Sequence, residues 1–352
     1  MSVLEHLEKL RANSGKVTTT GLADNVIEEF AARDPLLQQA VEEANVAFAH
    51  WQAKYPDLIK LDEMDLVRAL QKDYINFYPD DVVNPYVPLA ARGPWIITTH
   101  GAVLHDSGGY GMLGLGHNPA PVLEAMNQPH VMANIMTSSF SQHRFIEAIH
   151  AEIGQQRRQG CPYDRFLCMN SGSEAVTVAS RISDVNAKLM TDPDGKHAGK
   201  TIKKLSLKGG FHGRTDRPAQ FSDSTKATYK KYLASYRNKD DLLTVQPNDL
   251  EDLRTIFAEA EKQNVFIESV YMEPVMGEGD PGMAVQPEFY ALVRELTQKH
   301  GSLLLMDSIQ AGLRTTGYLS ITDYPGFENL DAPDMETYSK ALNAGQYPLS
   351  VL

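Results

Sequence analysis

The chain has 352 residues, enough for one large domain and a smaller one, each with its own core. Its composition, 42% hydrophobic and 22% charged, is that of an ordinary globular protein. A formal net charge of -12 argues against a general binder of nucleic acid or anionic membrane, because both partners reward Lys and Arg.

Two cysteines, Cys161 and Cys168, do not make a disulfide framework and fit a reducing compartment. The stretch from Met1 to Leu10 is dotted with charge and lacks the apolar core of a signal peptide. No segment approaches the roughly 18 consecutive apolar residues of a membrane helix. A cytoplasmic protein is expected.

Up to about Asp80 the sequence mixes polar and helical stretches. Leu66, Val67, Leu70 and Tyr74 recur at the spacings of one helical face, with no evident chemistry, so this part reads as scaffold. Trp95 to His100 reads as a strand, His100-Gly101 as a turn and Ala102 to His105 as a second strand. Gly108 to His117 holds too many glycines for a regular element and is expected to be an irregular loop.

After Pro162, short apolar strands alternate with amphipathic helices, the pattern of a mostly parallel sheet covered by helices. Asn170-Ser171-Gly172-Ser173-Glu174-Ala175 opens a helix, with Ser171 and Glu174 spaced as a capping box. The spacing predicts that Ala175, Val178, Ala179, Ile182, Val185 and Leu189 line one face. Gly172 lets a ligand approach the backbone, and free N–H groups with the helix dipole suit a phosphate. This motif alone also reads as a plain capped helix.

Lys204 to Leu207 is strand-like and leads into Gly210-Phe211-His212-Gly213-Arg214. Aromatics held between glycines at a sheet edge offer a flat face to a flat ring, or plug a corner of the core. Ser269 to Met272 is a strand, followed by Glu273-Pro274-Val275-Met276-Gly277-Glu278, two carboxylates on a bent segment. Pro287 to Lys299 is a helix with Phe289, Leu292, Val293 and Leu296 on one face, stopped by Gly301. Leu303 to Met306 is fully apolar, as expected of a strand buried on both faces.

Asp307 ends that strand, where burial is costly unless a cation meets it; a protonated pyridine nitrogen is such a cation. Met335 to Tyr338 is a shorter strand, and Lys340 just beyond it is an amine that a low-dielectric pocket would activate. Glu273, Asp307 and Lys340 thus follow three strands, where ligands sit in open α/β sheets. Each residue alone reads better as a polar group at a solvated strand end. Together with the motifs they mark a site.

These motifs, in this order and spacing, resemble the class III (ω-amino-acid) aminotransferases of fold type I, which depend on pyridoxal 5'-phosphate (PLP). The resemblance runs from about Trp95 to Leu352. It rests on Gly108-Gly109-Tyr110-Gly111 with Leu115-Gly116-His117, on the 170–175 and 210–214 motifs, on Glu273-Pro274 with Gly277-Glu278, on Asp307 with Gln310 and Gly312, and on Ser339-Lys340.

The fold it implies is α/β: a PLP-binding large domain with a mostly parallel central sheet over 126–352, plus a partial small α/β domain. Residues 1–125 would form the N-terminal segment and the N-terminal part of that small domain. By resemblance, Lys340 would form the Schiff base and move the proton, and Asp307 would pair with the pyridinium nitrogen. Phe211 would stack on the ring, and Ser171, Gly172 and Ser173 would hold the phosphate. Gln310 would reach the phenolic oxygen, and His212 would lie beside ring or substrate. Glu273 would stand in the pocket wall, with Tyr110 and Glu278 toward substrate.

The activity implied is ping-pong transfer of an amino group from an amine or ω-amino acid to a 2-oxo acid such as 2-oxoglutarate or pyruvate, in a homodimer. A racemase, aminomutase or decarboxylase of the same fold shares the early chemistry, and a truncated non-catalytic homologue is the third reading. No metal is expected. Two positions depart from the family. Ser308 stands where a glutamate usually follows the cofactor aspartate, and a long segment precedes the first family motif. Family members also continue beyond the lysine, while 12 residues follow Lys340 here. The threonine that reaches the neighbouring subunit's phosphate and the arginine for substrate carboxylate are expected outside this stretch.

Overall fold

A computed structural model describes residues 1–75, 82–129, 136–237 and 239–352, with Tyr110 described by its backbone alone. It divides into two units, Met1–Gly109 with Leu115–Gln128, and Tyr110–Gly114 with Pro129–Leu352.

The first unit begins with helices α1 (Val3–Asn13), α2 (Asp24–Ala31), α3 (Pro35–Lys54), α4 (Pro56–Ile59) and α5 (Glu63–Gln71). Strands β1 (Pro88–Arg92), β2 (Trp95–Thr98) and β3 (Val103–His105) form an antiparallel sheet in that order, followed by α6 (Ala120–Met126). Leu7, Leu10, Ile27, Leu37, Val41, Trp95, Ile97 and Val103 make its core. Asp34 serves twice: one oxygen caps α3 at the Leu36 N–H, and the other accepts the buried Trp95 indole N–H at 2.7 Å. The helix predicted over Leu66 to Tyr74 stops short. α5 ends at Gln71, short of Tyr74; Leu66 and Val67 are buried, while Leu70 within the helix and Tyr74 beyond it are exposed.

The second unit holds α7 (Phe140–Glu152), β4 (Cys168–Met169), α8 (Gly172–Thr191), β5 (Thr201–Leu207), α9 (Asp216–Ala219), α10 (Asp223–Tyr232) and β6 (Leu242–Val245). Then come α11 (Leu250–Lys262), β7 (Val265–Met272), α12 (Pro287–His300), β8 (Leu303–Asp307), β9 (Met335–Thr337) and β10 (Ser350–Val351). Five strands form a parallel sheet in the order β6-β5-β7-β8-β9, and β10 pairs antiparallel with β4. Every residue of β7 is buried, which requires cover on both faces. Val270, Met272, Leu304 and Met306 pack with Phe257, Phe289 and Val293 of α11 and α12. Tyr271 and Leu305, pointing the other way, pack with Val176 and Ala179 of α8 and with Phe221.

The predicted α12 and its glycine stop agree with the structure: Gly301 ends the helix at φ +85°, a left-handed conformation that suits glycine. The predicted face of α8 does not. Ala175 and Ala179 are buried with Val176, Ser180, Ser183 and Ala187, while Ile182, Val185 and Leu189 are 41%, 57% and 68% exposed. Small residues let the helix lie close to a sheet whose surface is already filled by the stacked Phe221 and Tyr271 rings, 3.7 Å apart. Among the described residues no helix is long and apolar enough to cross a membrane.

Candidate active site

Parallel strands gather their carboxyl ends at one edge of the sheet. Beyond β5 lie Phe211 and His212, and beyond β7 lies Glu273. β8 ends on Asp307, and β9 leads into Lys340.

Asp307 is buried, and its Oδ2 lies 2.9 Å from His212 Nδ1. Its Oδ1 accepts longer bonds from the Ile309 N–H and the Thr337 hydroxyl. A carboxylate only accepts, so the His212 ring proton sits on Nδ1. Nε2 is buried with no hydrogen-bond partner among the described residues. The ring is held edge-on to Tyr271, and the His212 backbone N–H donates to Ser222 Oγ.

Glu273 is buried and acts as a tie. One oxygen accepts the Phe211 N–H and the other the Gly277 N–H, both at 2.9 Å. It fixes the aromatic turn against the bent segment. Burial chiefly, with Asp307 adding, pushes its carboxyl up to about 7 against the opposing pull of His212 and the two N–H groups. Gln310 packs directly on Gly277, where any Cβ would overlap its Oε1.

Lys340 opens a short 3-10 turn at φ +41°. A side chain held in the left-handed region costs about 1–3 kcal/mol and marks functional sites. Burial holds the Lys340 ammonium below the usual lysine range, against the pull of Asp307, Glu273 and Glu278. Arg314, a cation that the sequence reading passed over, pushes the same way as burial. Glu278 is half-buried. The Tyr110 side chain lies outside the described residues; its backbone forms the turn Gly109–Gly111.

The start of α8 completes the edge. Ser171 Oγ accepts the Glu174 N–H, and Glu174 Oε2 accepts the Ser171 N–H, the reciprocal box that the spacing predicts. The N–H groups of Gly172 and Ser173 belong to the first turn and have no intrahelical acceptor. Gly213, at φ +117°, brings the aromatic turn onto this helix end, since a Cβ there would lie 2.8 Å from Ser173 Oγ. The Ser171→Ala variant should lose about 1 kcal/mol of stability. Calorimetry should register a Tm lower by roughly 2 °C.

Ser308 has a partner that the sequence did not suggest. Its hydroxyl donates to Glu336 of β9, a fully buried carboxylate that also takes Tyr163 OH and Ser320 Oγ at 2.6 Å and the Ile321 N–H at 2.9 Å. A carboxylate therefore does stand beside Ser308, supplied by the next strand.

A five-stranded parallel sheet with an acid, an imidazole and a depressed amine at its carboxyl edge defines an α/β protein with an enzyme-like cleft. The family model for class-III aminotransferases matches residues 77–352, and the chain belongs to that family. Among curated relatives, the ornithine aminotransferase of Staphylococcus epidermidis is 28% identical over 280 residues, 76% of this chain and 63% of its own length. A structure of Toxoplasma gondii ornithine aminotransferase, described with partial PLP occupancy at its active site, superposes with a TM-score of 0.63 at 23% identity, covering 85% of this chain and 65% of that one. N-acetylornithine aminotransferase from Stenotrophomonas maltophilia gives 0.56 at 24% identity, over 81% and 64%. These structures share the fold. The chain spans about 63% of the length of the curated relatives it matches.

Proposed function

We propose that this chain carries the PLP-binding part of an aminotransferase that takes the amino group of an amine or ω-amino acid and passes it to a 2-oxo acid. The observation that carries the reading is the pairing of a buried Asp307 with a strained, depressed Lys340 at the ends of adjacent parallel strands. The donor set fits the cofactor: an acid for a pyridinium nitrogen, an amine for an aldehyde, and unpaired helix-start N–H groups for a phosphate.

When bound, PLP supplies an electron sink for the carbon that carries the amine. Asp307, oriented by His212, holds the ring-nitrogen proton. Lys340 Nζ is the attachment point, and it takes up and returns the proton of the substrate carbon; burial leaves a larger neutral fraction for that task. Ser171, Gly172 and Ser173 would hold the phosphate, Phe211 would stack on the ring and Gln310 would serve the phenolic oxygen. Glu273 acts at one remove, holding Phe211 in place. Glu278 would stand toward substrate. The large domain runs over 126–352, the assembly is a homodimer, and the location is cytoplasmic.

The test is an absorbance spectrum with added PLP, then borohydride reduction and peptide mapping. A visible band whose reduction leaves the pyridoxyl label on Lys340 is expected. Label spread over other lysines, or no band, would overturn the assignment.

A further inference from the structure

The opposite edge of the parallel sheet, where the strands begin, carries a second cluster. His197 precedes β5, Glu261 lies near the end of α11 before β7, and His300 is the last residue of α12 before β8. One ligand atom from each lies within 4.8 Å of the others. We propose that His197, His300 and Glu261 bind a divalent transition metal of the zinc class.

The hydrogen bonds fix which ring nitrogen of each histidine carries the proton. Ser302 Oγ has a single proton and donates it to the Ile267 carbonyl. Toward His300 Nδ1, 2.9 Å away, the same oxygen must therefore accept. The His300 proton sits on Nδ1, and Nε2 presents its lone pair, buried and without a protein partner. His197 obeys the same logic. Its Nε2 lies 2.6 Å from the His300 carbonyl, which only accepts, so that nitrogen carries the proton and Nδ1 is left bare.

Both imidazoles thus hold the tautomer of a metal ligand, each with its other N–H anchored on an oxygen, the usual outer arrangement of metal-binding histidines. His197 is 6% exposed and stacks on Phe266, which also stacks on His300, so the pair is rigid. Glu261 is the mobile member at 65% exposure, and Lys200 Nζ holds its Oε2 at 2.6 Å. Closing to bond lengths of about 2.0–2.2 Å draws the three ligand atoms together, and the exposed Glu261 side chain has the most room to move, which frees Lys200. Two imidazole nitrogens and a carboxylate oxygen, with water in a fourth position, suit zinc better than calcium or magnesium. Such an ion would tie the loop after α8 to the ends of α11 and α12. Its role is to brace the sheet, on the edge away from Lys340.

The test uses the full chain without a polyhistidine tag, stripped with chelator and titrated with zinc or cobalt. The expected result is one zinc per chain by elemental analysis, a Tm that rises with zinc, and the visible bands of tetrahedral cobalt. Glu261→Gln, at an exposed position, should fold normally and bind zinc at least tenfold more weakly; His197→Gln should do the same. No retained zinc at micromolar free metal, or equal binding by wild type and both variants, would overturn the proposal.

Discussion

Replacing Lys340 with alanine is expected to lower turnover of an amine donor with a 2-oxo acid by about four orders of magnitude, the upper range for a positioned proton carrier. The fold should survive. The variant removes a half-buried amine whose ammonium is held below its ordinary range by loss of water, so the apoprotein should melt no lower than wild type. Lys340→Gly should be more stable than Lys340→Ala, because glycine relieves the φ of +41°. Steady-state kinetics and thermal melts on the three proteins separate the roles. Undiminished turnover in Lys340→Ala would sink the assignment, and a collapse of Tm in both variants would recast the residue as structural.

Glu336→Ala should be the most damaging of the single changes considered for stability, at about 4 kcal/mol. It orphans three hydroxyls and one backbone N–H, and each unsatisfied buried group costs about 1–3 kcal/mol, less where a hydroxyl can turn to another acceptor. Ser308→Ala removes one donor and leaves the carboxylate three, so it should cost about 1 kcal/mol. Urea unfolding of the two variants checks the ratio. Near-equal small losses would mean that Glu336 is not the hub of its network. The carboxylate itself is pushed above the ordinary glutamate range by burial, against four hydrogen bonds that favour its charge.

Much of the sheet was readable because burial on both faces leaves a plain signature. Leu303 to Met306 contains no polar residue, and Gly301 before it has one conformational use. The order of motifs along the chain also carried the family, since each stands just past a strand whose end the fold must bring to one edge. Other features were hidden for physical reasons. Periodicity located α8 and placed Ala175 and Ala179 correctly, but put Ile182, Val185 and Leu189 on the buried face, because helical spacing says nothing about whether small or large residues meet the sheet. It also ran α5 past Gln71 to Tyr74 and counted Leu70 with the core face, since apolar residues at the right spacing look alike whether buried or not.

Glu336 passed without remark inside a short strand; one of its partners, Tyr163, is 173 residues away. Glu273 was expected in a pocket wall, and its two backbone N–H partners became visible only with the turns in place. The Asp307–His212 contact was equally out of reach, because nothing local in either motif points to the other.

That dependence on distant partners has a kinetic side. His212 and Asp307 are 95 residues apart, and Phe211 and Glu273 are 62 apart. Parallel strands cannot pair until their crossovers have closed, so long-range topologies of this kind reach the native state slowly. Acid and imidazole meet only after β5, β7 and β8 have docked, and Lys340 arrives with the outermost strand, β9. Until then the apolar stretch Leu303 to Met306 and the apolar residues of β7 lie open to other chains. Growth at low temperature should therefore raise the yield of active material more than it raises total protein, and capture of PLP becomes a signal that the last strand has found its place.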